Sequence, residues 1–225
     1  VAAVFQGADR VMTIDRPGSA EQYSDAVSNG MQRNIVGGVA FAGKRNRLGE
    51  LKWGLVPPWA DDPKIGSRML NARAETAAAK PAFRDALRRK RCLIPADGFY
   101  EWEGAKGSVK QPWRFALSDG SVFAFAGLCT TWQPPEGGEP LRSLTIITTE
   151  PNDLVRPVHD RMPAILADAE AQACWLDPAF GADEACQLLA PCAVERMSAA
   201  KAGRAVGKPG NEGPHLLEPE QPGLF

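Results

Sequence analysis

Short apolar or alternating stretches recur along the chain, at 2–5, 11–14, 51–56, 92–94, 99–102, 113–117, 122–131 and 144–149, and each reads as a β-strand. Helical signals interrupt them. Pro81 stands at a first helical position ahead of Phe83 and Leu87, Asp168 can cap a helix running to about Leu176, and a segment from Asp183 to Ala190 is stopped by Pro191. The order is neither a regular strand-helix alternation nor an even series of hairpins, and it contains no internal repeat. It predicts an α+β class: a strand-rich mixed fold around a curved or barrel-like sheet flanked by helices. Residues 17–38 are rich in Ser, Gly and Asn without apolar periodicity and read as a surface insertion or loop; 134–140 read as another. From Lys208 the chain turns rich in Pro, Gly and Glu. The expected organisation is one domain over 1–207 and an extended tail over 208–225.

Composition narrows the class. The 225 residues, 44% hydrophobic and 24% charged, suit a globular domain with a substantial core. No apolar run approaches the roughly 20 residues of a membrane span, which argues against a helical membrane protein. Residues 1–10 lack a basic start, an apolar stretch and a small-residue cleavage site, so the expected location is the cytoplasm. Cys92, Cys129, Cys174, Cys186 and Cys192 are odd in number and show no C-x-x-C spacing, with only His159 and His215 to supply imidazoles. That pattern favours free thiols over disulfides or a zinc site, and no metal or organic cofactor is expected.

The net charge of −1 hides an uneven distribution. Between Lys64 and Arg114 lie twelve Lys and Arg against five Asp and Glu, a local excess of seven positive charges. A local basic field attracts phosphate whatever the overall charge. For Arg84, Arg88, Arg89, Lys90 and Arg91 the plainer reading is a solvated helix face and its end.

Two segments in this basic window carry candidate chemistry. In Asn71-Ala72-Arg73-Ala74-Glu75-Thr76 an extended chain puts Asn71, Arg73 and Glu75 on one face and two alanines on the other. In Asp97-Gly98-Phe99-Tyr100-Glu101-Trp102 a turn leads into a strand where Glu101 shares a face with Phe99, while Tyr100 and Trp102 take the other. A carboxyl among aromatic rings has its ionised form desolvated, which raises its pKa and suits it to proton transfer.

Further motifs follow: Trp53-Gly54-Leu55-Val56-Pro57-Pro58-Trp59-Ala60, Thr145-Ile146-Ile147-Thr148-Thr149, Val158-His159-Asp160-Arg161-Met162-Pro163 and Gly203-Arg204-Ala205-Val206-Gly207. In this order and combination, over roughly 51–219, they resemble the SOS-response-associated peptidase family of abasic-site-processing proteins. The resemblance implies a mixed fold on a barrel-like sheet, a basic groove for single-stranded DNA, and covalent capture of abasic sites. In that family an N-terminal cysteine closes a thiazolidine ring on the sugar aldehyde.

By motif position, the resemblance implies Asn71 near the opened sugar, Glu101 in ring opening and proton transfer, and His159 in cross-link chemistry and its reversal. It also implies Arg73 and Arg161 as groove arginines, Trp59 as a stacking platform for a base, and Thr148 as a hydroxyl offered to the DNA backbone. The residue chemistry agrees, since an amide bonds sugar or phosphate without titrating, imidazole is an acid-base group, guanidinium forks match phosphate, and indole stacks on bases. Each position has a plainer reading: His159 as a surface histidine, Glu101 in a buried ion pair with Arg73, Asn71 and Glu75 as strand terminators, and Trp59 as core.

The family's opening Met-Cys-Gly-Arg is not in this sequence, which begins at Val1 and has no cysteine before Cys92. This reads as a start placed late, with a divergent member lacking the nucleophile as the other reading. Either implies weak single-strand binding without the thiazolidine. The implied partner is single-stranded DNA with abasic sites, with lyase and self-processing peptidase activity implied alongside. A peptidase acting on unrelated proteins and a non-catalytic DNA-binding module are the competing classes. The final Gln221-Pro222-Gly223-Leu224-Phe225 resembles the Gln-x-x-Leu-Phe peptides that dock on the bacterial sliding clamp, with Leu224 and Phe225 as apolar anchors and Gln221 setting register; packing of both anchors onto the domain is the alternative.

Overall fold

The computed structural model of the chain describes residues 13–14, 36–40, 46–105, 107–207 and 216. Its elements run β1 (Thr13–Ile14), β2 (Val36–Ala40), β3 (Asn46–Glu50), β4 (Lys52–Trp53), β5 (Asn71–Arg73), α1 (Ala74–Ala77), α2 (Arg84–Arg89), β6 (Arg91–Ala96) and β7 (Phe99–Glu103). There follow β8 (Gln111–Leu117), β9 (Phe123–Trp132), β10 (Leu141–Thr149), β11 (Met162–Pro163), β12 (Ile165–Leu166), α3 (Ala169–Leu176), α4 (Ala182–Gln187) and β13 (Met197–Lys201). The class is α+β. A ten-stranded sheet follows the path β1-β3-β2-β6-β9-β10-β11, with β12 on β9 and β4 and β5 on β10, while β13-β8-β7 form a separate three-stranded sheet. The large sheet's path has two ends, so among the described residues it is curved sheet rather than closed barrel.

The alternation along β9 explains the layering. Phe123, Phe125 and Cys129 join a core shared with Phe99, Phe115 and Met197 of the small sheet, whereas Ala124, Ala126 and Leu128 join a core with Leu87 and Trp175 from the helices and Phe83 just ahead of α2. A central strand covered on both faces is apolar at successive positions, which is why 122–131 is so legible in the sequence. Gly127 sits where β6 crosses: a Cβ there would come within 2.6 Å of Ile94 Cδ1 and 2.9 Å of Cys92 Sγ.

Several expectations change. The strand expected over 51–56 stops at Trp53, because Gly54 turns the chain at φ 106° and Pro57-Pro58 follow. The end of the loop expected over 17–38 belongs to β2, which pairs with β3 and β6. After Pro81 a turn precedes the helix, which begins at Arg84. Asp168 does precede α3, but its carboxylate makes no cap bond and instead takes two hydrogen bonds from Arg196, at 2.7 and 3.0 Å. Arg91, grouped with a solvated face, is buried: its guanidinium donates to the carbonyls of Leu87, Trp175, Asp177 and Phe180, tying α2 to the end of α3. Residues 2–5, 208–215 and 217–225, and with them the proposed clamp peptide, lie outside the described residues.

Candidate active site

The pairing of β9 with β10 forks. The two strands pair from Leu141↔Trp132 to Ile146↔Gly127, and beyond that point residues 162–166 fill the gap, with β11 on β10 and β12 on β9. Ala164 bridges the fork, donating its N–H to the Ile147 carbonyl and accepting from the Ala126 N–H, each at 2.9 Å. The segment that fills the fork is immediately preceded by His159, Asp160 and Arg161.

On the opposite edge of β10 lies β5, parallel, with Asn71 opposite Ile146 and Arg73 opposite Thr148. Ala72 is fully buried in the helix-side core, so Asn71 and Arg73 take the other face, as the alternation predicts. Glu75 does not continue that strand. It lies in the first turn of α1, and its carboxylate accepts Arg161 NH1 at 2.8 Å and NH2 at 3.0 Å. These bonds hold the Glu75 carboxyl below its usual pKa. Arg161 NH2 also donates to the Thr148 carbonyl at 2.5 Å. The Thr148 hydroxyl is buried and points to the Ala72 carbonyl at 3.5 Å.

His159 faces Glu101. The imidazole is 37% exposed and its Nε2 lies 3.9 Å from Oε2 of Glu101, whose side chain is 3% exposed. Its Nδ1 accepts the Arg161 backbone N–H at 3.0 Å. Glu101 comes from the middle of β7, opposite Trp113, two pairs along from Phe99 opposite Phe115, whose rings stack at 5.1 Å. The aromatic setting predicted for Glu101 is therefore present, and the side chain facing its Oε2 is His159 rather than Arg73. Arg73 is exposed, with no hydrogen bond or ion pair to its guanidinium among the described residues.

Asn71 Oδ1, Thr76 Oγ1 and Arg161 Nε are buried polar atoms with no hydrogen-bond partner among the described residues. Such atoms are costly, and here they gather around one ion-paired cluster. A ligand with both hydroxyl donors and acceptors would satisfy them.

Trp59 stands on the loop between β4 and β5 and is 58% exposed, so it is not core. The loop is stiff. Gly54 and Gly66 cross so closely that a Cβ on Gly66 would lie 2.5 Å from the Gly54 carbonyl oxygen, and Trp132 Nε1 donates to the Ala60 carbonyl at 2.6 Å. Val56 is held on both sides, its N–H donating to Ser143 Oγ and its carbonyl accepting from Thr130 Oγ1, each at 2.8 Å. Among the described residues no hydrogen bond or ion pair joins Trp59 to the other candidates.

The structure thus brings together Asn71, Arg73, Thr148, Arg161, His159 and Glu101, and adds Glu75, whose partner 86 residues away no local pattern reveals. The five cysteines are free thiols, and no group of three His, Cys, Asp or Glu is placed to hold a metal ion among the described residues. Cys92 and Cys129 share a hydrogen bond inside the core that raises the Cys92 pKa and lowers that of Cys129.

Residues 11–209 match the family described as SOS response associated peptidase (SRAP). The chain is 50% identical over 177 residues to the abasic site processing protein YoqW of Bacillus subtilis, covering 78% of each chain. It is 34% identical over 200 residues to the abasic site processing protein HMCES of Gallus gallus, covering 79% of this chain and 59% of that one. A crystal structure of a protein from Bacteroides thetaiotaomicron superposes with a TM-score of 0.73 at 30% identity, over 82% of this chain and 81% of that one.

Proposed function

The chain belongs to the SOS response associated peptidase family, and from that premise we propose that it recognises abasic sites in single-stranded DNA and handles protons at the opened sugar. The observation that carries this is the set of buried, unpartnered atoms of Asn71, Thr76 and Arg161, the last of these joined through its backbone N–H to the His159 that faces Glu101. An opened deoxyribose offers hydroxyls that donate and accept, together with an aldehyde at C1. The Asn71 amide oxygen accepts from a sugar hydroxyl. The Arg161 Nε–H donates to a sugar or phosphate oxygen. Glu101 and His159 move protons as the ring opens, the carboxylate taking one from a hydroxyl and the imidazole giving one to the ring oxygen. Arg73 meets a phosphate, and a neighbouring base stacks on Trp59.

The covalent step belongs to the same proposal. A primary amine adds to C1 and water leaves as an imine forms; a thiol then adds to the imine carbon, its proton passing to the nitrogen, and closes a thiazolidine without oxidant. The family resemblance assigns amine and thiol to an N-terminal cysteine that is not among these 225 residues. The domain reading, one unit over 1–207 with a tail over 208–225, is part of this proposal, as are lyase and self-processing activity.

Binding of matched single strands with and without one abasic site, read by fluorescence anisotropy, tests the reading. Tighter binding of the abasic strand, lost in Asn71→Ala, is expected. Equal affinity for both strands, or cleavage of an unrelated peptide that depends on Glu101 and His159, would overturn it in favour of a plain DNA-binding module or a general peptidase.

A further inference from the structure

We infer that Glu75 is a positioning residue for His159, acting through Arg161. The inference rests on the reading of His159 and Glu101 as the proton-handling pair. The Nδ1 atom of His159 is contested. The Arg161 backbone N–H lies 3.0 Å away and needs a lone pair there. The Arg161 carbonyl at 3.2 Å and Asp160 Oδ1 at 3.3 Å each favour a proton there instead. Only when the amide wins does the neutral ring carry its proton on Nε2, the nitrogen that faces Glu101. If the acceptors win, Nε2 presents a lone pair to the Glu101 carboxylate.

What holds the amide in place is the side chain of the same residue. The two parallel bonds from Arg161 to Glu75 pin it to α1, and the bond to the Thr148 carbonyl pins it to β10. Without Glu75 the guanidinium keeps one anchor, and the backbone from His159 to Arg161 is held at its ends, by the His159 N–H on the Val155 carbonyl at 3.0 Å and by Met162, the next residue, paired with Thr149, which leaves the Arg161 amide between them to its side chain. Glu75 thereby selects the tautomer of a ring it does not touch.

The test is nitrogen NMR of the full chain labelled with 15N-histidine, above the imidazole titration, with His215→Gln in every sample so that His159 alone reports. The unsubstituted Glu75 chain is expected to show His159 protonated on Nε2. Glu75→Gln is expected to populate the Nδ1–H form to a comparable extent, and Glu75→Asp, too short to hold both bonds, to move in the same direction. An Nδ1–H ring in the presence of Glu75, or Nε2–H rings retained in both variants with folding verified by thermal unfolding, would overturn the inference; if Glu75→Gln does not fold, Glu75→Asp decides. Adding single-stranded DNA with one abasic site separates the two claims. His159 signals that move support the site, while signals that stay fixed remove the functional reading and leave the tautomer result standing.

Discussion

Glu75 ionises more readily than an ordinary glutamate because Arg161 donates two hydrogen bonds to it. A carboxyl whose folded-state pKa is depressed contributes stability that is fully present above its unfolded-state value and is lost as pH falls through the folded one. Denaturant titrations across that acid window are therefore expected to show Glu75→Gln less stable at neutral pH and losing less on acidification. The pair is partly exposed, so the neutral-pH difference is about 1 kcal/mol or less. Equal curves would show that the pair adds nothing. Glu101→Gln keeps the shape of a buried side chain but removes its capacity to exchange a proton, and is expected to slow abasic-site chemistry about 100-fold or more while single-strand affinity changes little. At this scale the sequence was legible where chemistry followed local alternation: Asn71 and Arg73 were set against Ala72 by period two, and Glu101 was set among aromatics. Glu75 was placed on their face but on a strand that ends at Arg73, and its bond to Arg161 has no local signature.

Among elements, those buried on two faces announced themselves, and those made only by pairing did not. The β9 strand carries a long apolar run and β10 sets Leu and Ile among buried Ser and Thr, whereas β11 and β12 are two residues each, too short for any periodicity, and exist because the fork between β9 and β10 needs their hydrogen bonds. The strand expected at 51–56 failed for a local reason, the left-handed Gly54, which reads as an ordinary residue until its contact with Gly66 is seen. Packing across β6 and β9 gives a direct test. Gly127→Ala inserts a methyl into contact with Ile94 and Cys92, and is expected to cost about 1–3 kcal/mol in urea denaturation. No change would mean that Ile94 and Cys92 yield without strain.

For the whole molecule, the basic excess between Lys64 and Arg114 overstates what phosphate meets. Arg91 is spent on carbonyls in the interior, Arg114 faces Asp97 at 3.6 Å and Arg84 faces Asp85 at 3.7 Å, whereas Lys64, Arg68, Arg73, Arg88 and Arg89 are exposed. Charge counting on a sequence cannot separate these groups, because burial and pairing are tertiary. Single-strand affinity measured against salt is expected to fall steeply, and Arg73→Ala to reduce the slope of log K against log salt by about 0.7, the loss of one phosphate contact. An unchanged slope would place Arg73 off the strand's path.

The filling of the fork has a further consequence. Glu101 arrives on the small sheet, Asn71 on an edge of the large one, and His159 and Arg161 on the connection that leads directly into residues 162–166, which close the seam. The proposed site is thus drawn from three separate parts of the fold, and no single element of the chain carries the Glu101–His159 pair by itself.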